Sequence, residues 1–329
     1  MDLRDRFLIE HPVLQAGMGG GIAGADLAAT VTNAGGLGTV GFAPPQDFDR
    51  EISRTKAETE GKTYAANLLL PLTLRAHVDS LLQHKVPIVT MFYGFNASVM
   101  RAVKDSGALV IYQIGSEEEA ARVVAAGADA LIVQGVEAGG HVRGKERLTS
   151  ILPKVRARFP DTPVIAAGGI YDRQSASNAI AMGADGVASG TRFLMTNESG
   201  AHAAYKNLLV TGSETTITTL FGLGWPDPHR VLINEAVKRW CNDHGDPQRA
   251  IRILNWLTQF GSKYSPPSVL KKLVQAQRVD RPLFTPMLAE AGMSEPLMEA
   301  LAAYAGECVS EIDTLEPAVS VVESLAAGC

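Results

Sequence analysis

Short runs of apolar residues recur along the first two-thirds of the chain, separated by stretches whose apolar residues have helical spacing. Several runs are apolar at nearly every position, which is typical of strands that are covered on both faces. Eight runs predict strands, at residues 12 to 18, 37 to 42, 63 to 70, 87 to 93, 108 to 115, 130 to 135, 163 to 169 and 186 to 194. This alternation of strands and helices indicates a parallel sheet.

The helical stretches lie between these runs, at roughly residues 25 to 34, 47 to 59, 74 to 84, 96 to 105, 117 to 126, 148 to 158 and 172 to 182. Several end at a glycine that precedes the next strand, as in Gly127-Ala128-Asp129 and Gly183-Ala184-Asp185. Glycine suits this position because helices commonly end in a left-handed residue. The pattern predicts an α/β fold, a closed (β/α)8 TIM barrel, with an open doubly wound sheet as the alternative.

The alternation stops after residue 195. Helical patterns then appear at residues 230 to 241, 247 to 258, 267 to 276 and 294 to 304, and a final turn and helix close the sequence. We therefore predict two domains. Residues 1 to 195 and 305 to 329 form the barrel, with the last segment as its eighth helix, and residues 196 to 304 form a helical insertion that covers the barrel mouth.

Composition and charge narrow the function. The chain has 30 Lys and Arg against 35 Asp and Glu, a net charge of -5, which argues against a nucleic-acid partner. Its 3 cysteines, Cys241, Cys308 and Cys329, are far apart and predict neither a disulfide framework nor a zinc site. The sequence shows no membrane span and no signal peptide, so we expect a cytoplasmic protein. It predicts no oligomeric state.

A glycine-rich segment follows the first predicted strand. Residues 19 to 24 match the pattern GxGxxG, which in dinucleotide-binding folds accompanies an acid at the end of the second strand. Here the second strand ends in Gly41-Phe42. We therefore interpret the segment as a tight turn at the barrel rim, where a flat ligand comes close.

Two further clusters follow the seventh and eighth predicted strands. These are Gly168-Gly169 and Ser189-Gly190-Thr191. In a TIM barrel the loops at these strand ends commonly bind phosphate, because backbone N–H groups converge there. Both clusters at the two expected places predict a phosphate site.

The segment from Gln134 to His141, with the sequence QGVEAGGH, follows the sixth predicted strand. Its glycines allow the loop to fold tightly, and His141 ends it with a side chain that can act as a base or a hydrogen-bond donor near neutral pH. Glu137 is a candidate cap for loop N–H groups. Arg143 and Lys145 either attract an anionic substrate or form a solvated surface pair. The sequence lacks HExxH, GxxxxGK[ST] and GxSxG, so we predict no catalytic metal and no serine nucleophile.

Taken together, QGVEAGGH, PVIAAGGI, GADGVASGTRF, HPVLQAGM, NAGGLGTVG and GWPDPHRVL resemble the nitronate monooxygenase family over most of the chain. The resemblance implies a TIM barrel that holds FMN without a covalent bond. It assigns the loop after the first strand and two polar side chains to the isoalloxazine, two loops to the phosphate, and His141 to catalysis. The implied cofactor-binding residues are Ala16, Gly17, Met18, Asn67, Gln134, Gly139, Gly140, Gly168, Gly169, Ser189, Gly190 and Thr191.

The resemblance also implies the reaction, in which oxygen oxidises an alkyl nitronate, or the parent nitroalkane, to a carbonyl compound and nitrite. Related proteins with the EAGGH segment reduce enoyl thioesters or quinones with NAD(P)H, and this is the first alternative. A flavin-binding protein without significant turnover is the second. Gln134 resembles the monooxygenases, whereas Tyr171-Asp172-Arg173 departs from the family's usual Asp-Gly pair.

Overall fold

The computed structural model describes residues 2 to 262, 267 to 289 and 292 to 329. The chain divides into two compact units. The first contains Met1–Glu137, Arg143–Gly200 and Leu315–Cys329, and the second contains Ala138–Val142 and Ala201–Thr314. Residues 138 to 142 therefore belong to the second unit, although they lie between two segments of the first. The rest of the second unit comes later, from residues 201 to 314. That the insertion covers the barrel mouth stays a prediction.

The first unit is built on an eight-stranded parallel sheet with the order β1-β9-β8-β6-β5-β4-β3-β2. Its strands are β1 (Val13–Gln15), β2 (Thr39–Val40), β3 (Ala65–Leu69), β4 (Ile88–Phe92), β5 (Leu109–Ile114), β6 (Ala130–Gln134), β8 (Val164–Ala167) and β9 (Gly186–Ser189). A bridge between Leu14 and Leu37 joins β1 to the approach to β2. The sheet is thus a nearly closed barrel, and the predicted TIM fold is confirmed.

Helices follow the strands as the sequence predicts. They are α2 (Ala25–Asn33), α3 (Pro45–Glu58), α4 (Arg75–His84), α5 (Ala97–Asp105), α6 (Glu117–Ala125), α7 (Leu148–Arg158), α8 (Arg173–Ala181) and α14 (Ala318–Ala326). The last of them contacts both α2 and α8 and completes the ring as the eighth helix. A short α1 (Leu3–Phe7) precedes β1, and Leu3 and Phe7 join the apolar core inside the barrel.

Alternation along each strand separates two apolar layers. In β5, Val110 and Tyr112 pack in the cluster that includes the surrounding helices, whereas Ile111 belongs to the interior cluster. Because successive side chains point to opposite faces, polar residues two positions beyond interior apolar ones also face inwards. Asn67 in β3 and Gln134 in β6 follow Ala65 and Ile132 in this way.

One predicted strand is too long. The prediction spans residues 186 to 194, but β9 ends at Ser189 and a short helix, α9 (Thr191–Leu194), follows. Backbone bonds from Leu194 N to Gly190 O at 2.8 Å and from Met195 N to Thr191 O at 3.0 Å hold this turn. All four helix residues are buried, so burial does not distinguish this short helix from the end of a buried strand.

The second unit contains helices and also a small antiparallel sheet of order β10-β11-β7, which the sequence did not predict. Its elements are β7 (Gly140–His141), α10 (Ala203–Thr211), β10 (Thr215–Thr218), β11 (His229–Leu232), α11 (Glu235–Trp240), α12 (Arg249–Ser262), α13 (Pro267–Gln275) and the 3-10 helices Glu295–Ala300 and Glu307–Glu311.

Two predicted helices in this unit are partly wrong. The helix predicted at residues 230 to 241 begins as β11, because residues 229 to 232 pair with β10 and residues 229 and 230 also pair with β7. The stretch at residues 294 to 304 contains only a 3-10 turn, Glu295–Ala300. Short apolar stretches do not distinguish a strand from a helix by periodicity, and tertiary pairing decides the outcome. Among the described residues, none of the helices is both long enough and apolar enough to cross a bilayer.

The aspartates of the two Gly-Ala-Asp junctions bind the backbone of a neighbouring strand. Asp129 Oδ2 accepts a hydrogen bond from Val110 N at 2.8 Å, and Asp185 Oδ2 accepts one from Val164 N at 2.7 Å. Each aspartate therefore ties the start of its own strand to the start of the preceding strand of the barrel. Asp129 is also paired with Arg6 at 2.8 Å and with Lys104 at 2.6 Å, so it anchors α1 and α5 as well.

We expect Asp129→Ala to lower the free energy of unfolding by about 2 to 4 kcal/mol, because it leaves a buried N–H and two cations without their acceptor. Asp79→Ala removes a carboxylate that is 59% exposed and serves as the control. Chemical denaturation checks both variants. Equal, small losses in the two would show that the junction does not hold the barrel.

Candidate flavin and catalytic site

The loop after β1 is held in place by backbone bonds and by one buried amide. Ala16 N donates to Ser189 O at 2.9 Å, and Met18 N donates to Ala16 O at 2.8 Å. Asn67 Nδ2 donates to Gly17 O at 3.1 Å. The sequence-predicted residues Ala16, Gly17, Met18, Asn67 and Ser189 are thus in direct contact, and the chain presents a rigid loop at the carboxyl end of β1.

Asn67 itself is fixed by a second bond. Its Oδ1 accepts from the hydroxyl of Thr90 at 2.9 Å, and Thr90 is its partner in the β3–β4 register. An amide has two N–H donors and two acceptor lone pairs, so one N–H and one lone pair of Asn67 are not used by these two bonds. These are the groups that can bind a ligand's polar edge. The structure gives Asn67 a positioning role that the sequence did not indicate.

Gln134 occupies the corresponding place at the end of β6. Its side chain is buried, and its Oε1 accepts from Arg143 N at 3.1 Å. Arg143 follows the five-residue excursion into the second unit. Gln134 therefore fixes the point where the chain re-enters the barrel, and its amide nitrogen is a donor suited to a flavin carbonyl.

The two predicted phosphate loops adjoin each other. The hydroxyl of Ser189 donates to Ile170 O at 2.6 Å, which ties the end of β9 to the loop after β8. Gly168 and Gly169 have φ angles of +113° and +71°, a left-handed conformation that favours glycine. The Ser189 hydroxyl donates its proton to Ile170 O, so it cannot also donate to a phosphate. The backbone N–H groups of the two loops are therefore the better candidates for binding phosphate.

Gly190 gives the clearest test of whether a phosphate group fits. Its φ is -106°, which any residue adopts. A Cβ built on it meets only the Ala16 Cβ, at 3.7 Å, which is ordinary contact. Neither backbone conformation nor close packing requires glycine here. A free space beside a backbone N–H at the carboxyl end of a barrel strand fits a phosphate group, and a side chain would fill it.

Glu137 caps the start of α7, in agreement with its prediction as a cap for backbone N–H groups. Its two carboxylate oxygens accept from Leu148 N, at the start of α7, at 3.0 and 3.2 Å. Arg143 Nε donates to Glu119 at 2.6 Å, and its guanidinium lies 5.2 Å from the ring centre of Tyr93. Arg143 is thus paired within the barrel unit, which supports the interpretation as a surface pair.

The excursion after Glu137 belongs to the second unit. A Cβ on Gly139 would lie 2.5 Å from Gly306 N, so only glycine fits this close approach. Gly140 has a φ of +74°, and β7 pairs with β11 through Gly140–Arg230 and His141–His229. Gly139 and Gly140 therefore place His141 on a sheet edge, which the sequence did not indicate.

His141 lies among aromatic rings of the second unit. Trp225 stacks on it, with ring centres 3.9 Å apart and an angle of 16° between the planes. His229 and Tyr304 meet it edge-on at 5.5 and 5.6 Å. Burial lowers the pKa of His141 well below 6.5, and the neighbouring His229 lowers it further. His141 is therefore a neutral imidazole at physiological pH.

His229 is a fully buried neighbour of His141. Its Nδ1 bonds to Asp227 O at 3.0 Å, and burial lowers its pKa to about 4. Because a carbonyl oxygen only accepts, the proton of the neutral ring is on Nδ1. The other nitrogen, Nε2, has no hydrogen-bond partner within the part of the chain that the structure describes.

Sequence reasoning missed several residues of these two regions. Thr90 lies two positions after the interior residue Ile88, so alternation along the strand was the available signal. Trp225 and His229 are within GWPDPHRVL, a segment that carried the family resemblance but no assigned role. No sequence signal indicated Tyr304, because its contact with His141 arises only from tertiary packing.

Comparisons with known proteins agree with this architecture. The sequence model of the family described as nitronate monooxygenase matches residues 2–78 and 42–327. The chain is 33% identical over 333 residues to (3aS,4S,5R,7aS)-5-hydroxy-7a-methyl-1-oxo-octahydro-1H-indene-4-carboxyl-CoA dehydrogenase of Rhodococcus jostii, covering 97% of this chain and 92% of the relative.

Two solved structures are also similar over nearly their whole length. FabK from Thermotoga maritima has a TM-score of 0.75 and 30% identity, covering 98% of this chain and 94% of the other. Nitroalkane oxidase from Streptomyces ansochromogenes has a TM-score of 0.76 and 29% identity, covering 99% and 97%. The predicted family is confirmed by the family match. The chain belongs to the nitronate monooxygenase family and is a flavin-dependent oxidoreductase.

Proposed function

We propose that the protein is an FMN-dependent oxidoreductase that acts on a carbon acid, with an alkyl nitronate or its parent nitroalkane as the substrate and oxygen as the oxidant. The observation that carries the proposal is His141, a neutral imidazole held between aromatic rings. A neutral imidazole can take a proton from carbon beside a nitro group, or donate a hydrogen bond to the nitronate. The family match supports the flavin chemistry.

We assign FMN to the first unit. The loops at Gly168-Gly169 and Ser189-Gly190-Thr191 would hold the phosphate, and Ala16, Gly17 and Met18 would contact the isoalloxazine. Asn67 and Gln134 would bond its polar edge with their side-chain amides. When bound, FMN supplies the electron acceptor for the substrate and the donor for oxygen. Gly139 and Gly140 place His141 on its strand, and their contact with the cofactor, which the resemblance implies, stays a prediction.

His141 performs the proton chemistry in this proposal. Its low pKa keeps the ring unprotonated, so it can accept the α-proton of a neutral nitroalkane at neutral pH. The stacked Trp225 fixes the plane of the ring. Aromatic neighbours also exclude water, which would otherwise compete as a hydrogen-bond partner.

A second candidate function is the removal of hydrogen beside the carbonyl of an acyl-CoA thioester. A specific observation favours it: the relative of Rhodococcus jostii, which its name describes as a carboxyl-CoA dehydrogenase, is similar over 97% of this chain. A thioester also makes the neighbouring C–H acidic, so His141 would have the same role. NAD(P)H-dependent reduction of an enoyl thioester would run this reaction in the opposite direction, and NAD(P)H-dependent reduction of a quinone is the further alternative.

Anaerobic mixing of the flavin-loaded protein with single reagents tests these proposals. Rapid bleaching of the flavin by an alkyl nitronate, without bleaching by NADH or NADPH, supports nitronate oxidation. Bleaching by an acyl-CoA alone supports the second candidate, and bleaching by NADH or NADPH alone supports a reductase. If none of them reduces the flavin, the protein binds flavin without significant turnover and the proposed function is wrong.

The purified protein should be yellow and should release FMN, not FAD, on denaturation. Two adjoining phosphate loops suit one phosphate, and the second strand ends without an acid for an adenosine ribose. Chromatography of the released flavin against both standards checks this. Released FAD, or colourless protein that takes up no FMN, would contradict the assignment.

Gly190→Leu should weaken FMN binding about 10- to 100-fold, because its side chain fills the space assigned to the phosphate and removes charge-assisted hydrogen bonds. Gly190→Ala is the matched variant, since its Cβ makes only ordinary contact with Ala16. Titration of apoprotein with FMN gives both affinities, and thermal unfolding checks the fold. An unchanged affinity in a folded Gly190→Leu variant would place the phosphate elsewhere.

His141→Asn should lower turnover of a neutral nitroalkane roughly 10²- to 10⁴-fold, the usual contribution of a positioned base, and affect the preformed nitronate much less. Equal losses of up to roughly 10³-fold on both substrates would instead indicate charge stabilisation. In the wild type, kcat/KM for the nitroalkane should fall with acid only well below pH 6.5, because His141 must be unprotonated. Full activity of the FMN-bound variant on both substrates would exclude both roles.

A further inference from the structure

The segment Trp225-Pro226-Asp227-Pro228-His229 has a compact internal arrangement with Asp227 at its centre. The indole N–H of Trp225 donates to the Asp227 carboxylate. The Nδ1–H of His229 donates to the Asp227 carbonyl at 3.0 Å. One residue therefore holds the ring before it and the ring after it.

The two prolines make this arrangement stiff. Proline fixes its own φ near -65° and restricts the residue that precedes it. In this segment Pro226 restricts Trp225, and Pro228 restricts Asp227. Little chain entropy is left to lose when the two bonds to Asp227 form, so the segment is preorganised.

Both rings held by Asp227 contact His141, Trp225 on its face and His229 at its edge. Trp225 stacks on His141 at 3.9 Å, and His229 meets it at 5.5 Å with an angle of 65°. The strands align them: His229 is opposite His141 in the antiparallel register, and Val142 N donates to Pro228 O at 3.0 Å. Directly opposite residues share one face of the sheet.

His141 needs such support because of its own sequence. It follows Gly139-Gly140, and Gly140 is in the left-handed region. The glycines place the imidazole without adding any side chain to hold it. A misplacement of about 1 Å in a reacting group costs up to roughly 10²-fold in rate, so the ring plane must be set by neighbours.

We propose that Asp227 is a positioning residue, which acts through Trp225 and His229 to fix the ring plane of His141. The consequence for catalysis rests on the proposed function, whereas the positioning itself does not. Asp227 makes this contribution with its carboxylate on one side and its carbonyl on the other. A substitution at residue 227 removes only the bond that the carboxylate accepts from Trp225, because the backbone carbonyl that accepts from His229 is present in every variant.

The positioning can be tested without any substrate. We compare the ring resonances of His141 in the flavin-loaded wild type and in Asp227→Ala and Asp227→Asn, assigning them by their loss in His141→Asn. A ring stacked 3.9 Å from an indole experiences a strong upfield ring-current shift. Asp227→Ala should lose most of this shift, whereas Asp227→Asn, which keeps an acceptor oxygen for the indole, should retain it.

The matched control is Asp243→Ala, which removes the same charge from an exposed position of the second unit. It should leave the His141 resonances unchanged. If Asp227→Ala does not fold, Asp227→Leu replaces it, since leucine has nearly the shape of aspartate but offers the indole N–H no acceptor, and the bond from His229 to the carbonyl of residue 227 stays in place. Wild-type resonances in Asp227→Ala, or in Asp227→Leu where it is the variant used, would overturn the proposal.

Kinetics then test the consequence for catalysis. Asp227→Ala should lower kcat about 10- to 100-fold, with KM and FMN affinity within about twofold of the wild type. Asp227→Asn should restore most of kcat. A rise in KM alone, or no rescue by Asn, would overturn the positioning role in turnover. Should the wild type oxidise none of the tested substrates, the proposed function fails while the resonance comparison still decides the geometry.

Discussion

Closure of the barrel through β1 is the constraint on which the candidate flavin site depends. The first strand pairs in parallel with β9 and bridges to Leu37 on its other side, so the beginning and the end of the sheet become neighbours. This places Ala16 next to Ser189 and Gly190, which are more than 170 residues away in the chain. A parallel barrel presents the carboxyl ends of all its strands on one rim, and the bond from Ala16 N to Ser189 O fixes two of its loops relative to each other.

The polar side chains at that rim have two functions at once. Asn67 holds Gly17 and is held by Thr90, and Gln134 holds the backbone of Arg143. After its two bonds are counted, the Asn67 amide keeps one N–H and one lone pair for a ligand. A site whose side chains are already fixed by the protein loses little entropy when it binds a rigid, planar cofactor.

The second unit keeps the imidazole of His141 neutral and oriented. Packing among Trp225, His229 and Tyr304 lowers the pKa of His141 and leaves its ring few orientations. The five residues Ala138–Val142, which lie between two barrel segments of the chain, belong to this unit and carry His141 into it. The family shares the segment EAGGH, and in this chain its glycines serve a strand pairing and a close backbone approach.

Much of the barrel could be predicted from the sequence, because buried parallel strands and amphipathic helices have distinct periodicities. The ends of the elements were harder to predict, because Thr191–Leu194 is buried like the strand before it and only its backbone bonds show that it is a helix. The phosphate loops and His141 were identifiable as candidates, since glycine clusters and a loop histidine stand out. The sheet of the second unit was not, because β7 has two residues and depends on partners about 90 positions away. The roles of Thr90, Trp225 and His229 likewise arise from contacts and not from local pattern.

A crystal structure of the FMN-loaded protein tests the central claim most directly, namely that the seam between β1 and β9 holds the cofactor phosphate. The account predicts phosphate oxygens within hydrogen-bond distance of the backbone N–H groups of Gly169 and Gly190, with the isoalloxazine against residues 16 to 18. A phosphate bound at any other place, with the space beside Gly190 unfilled, would contradict it.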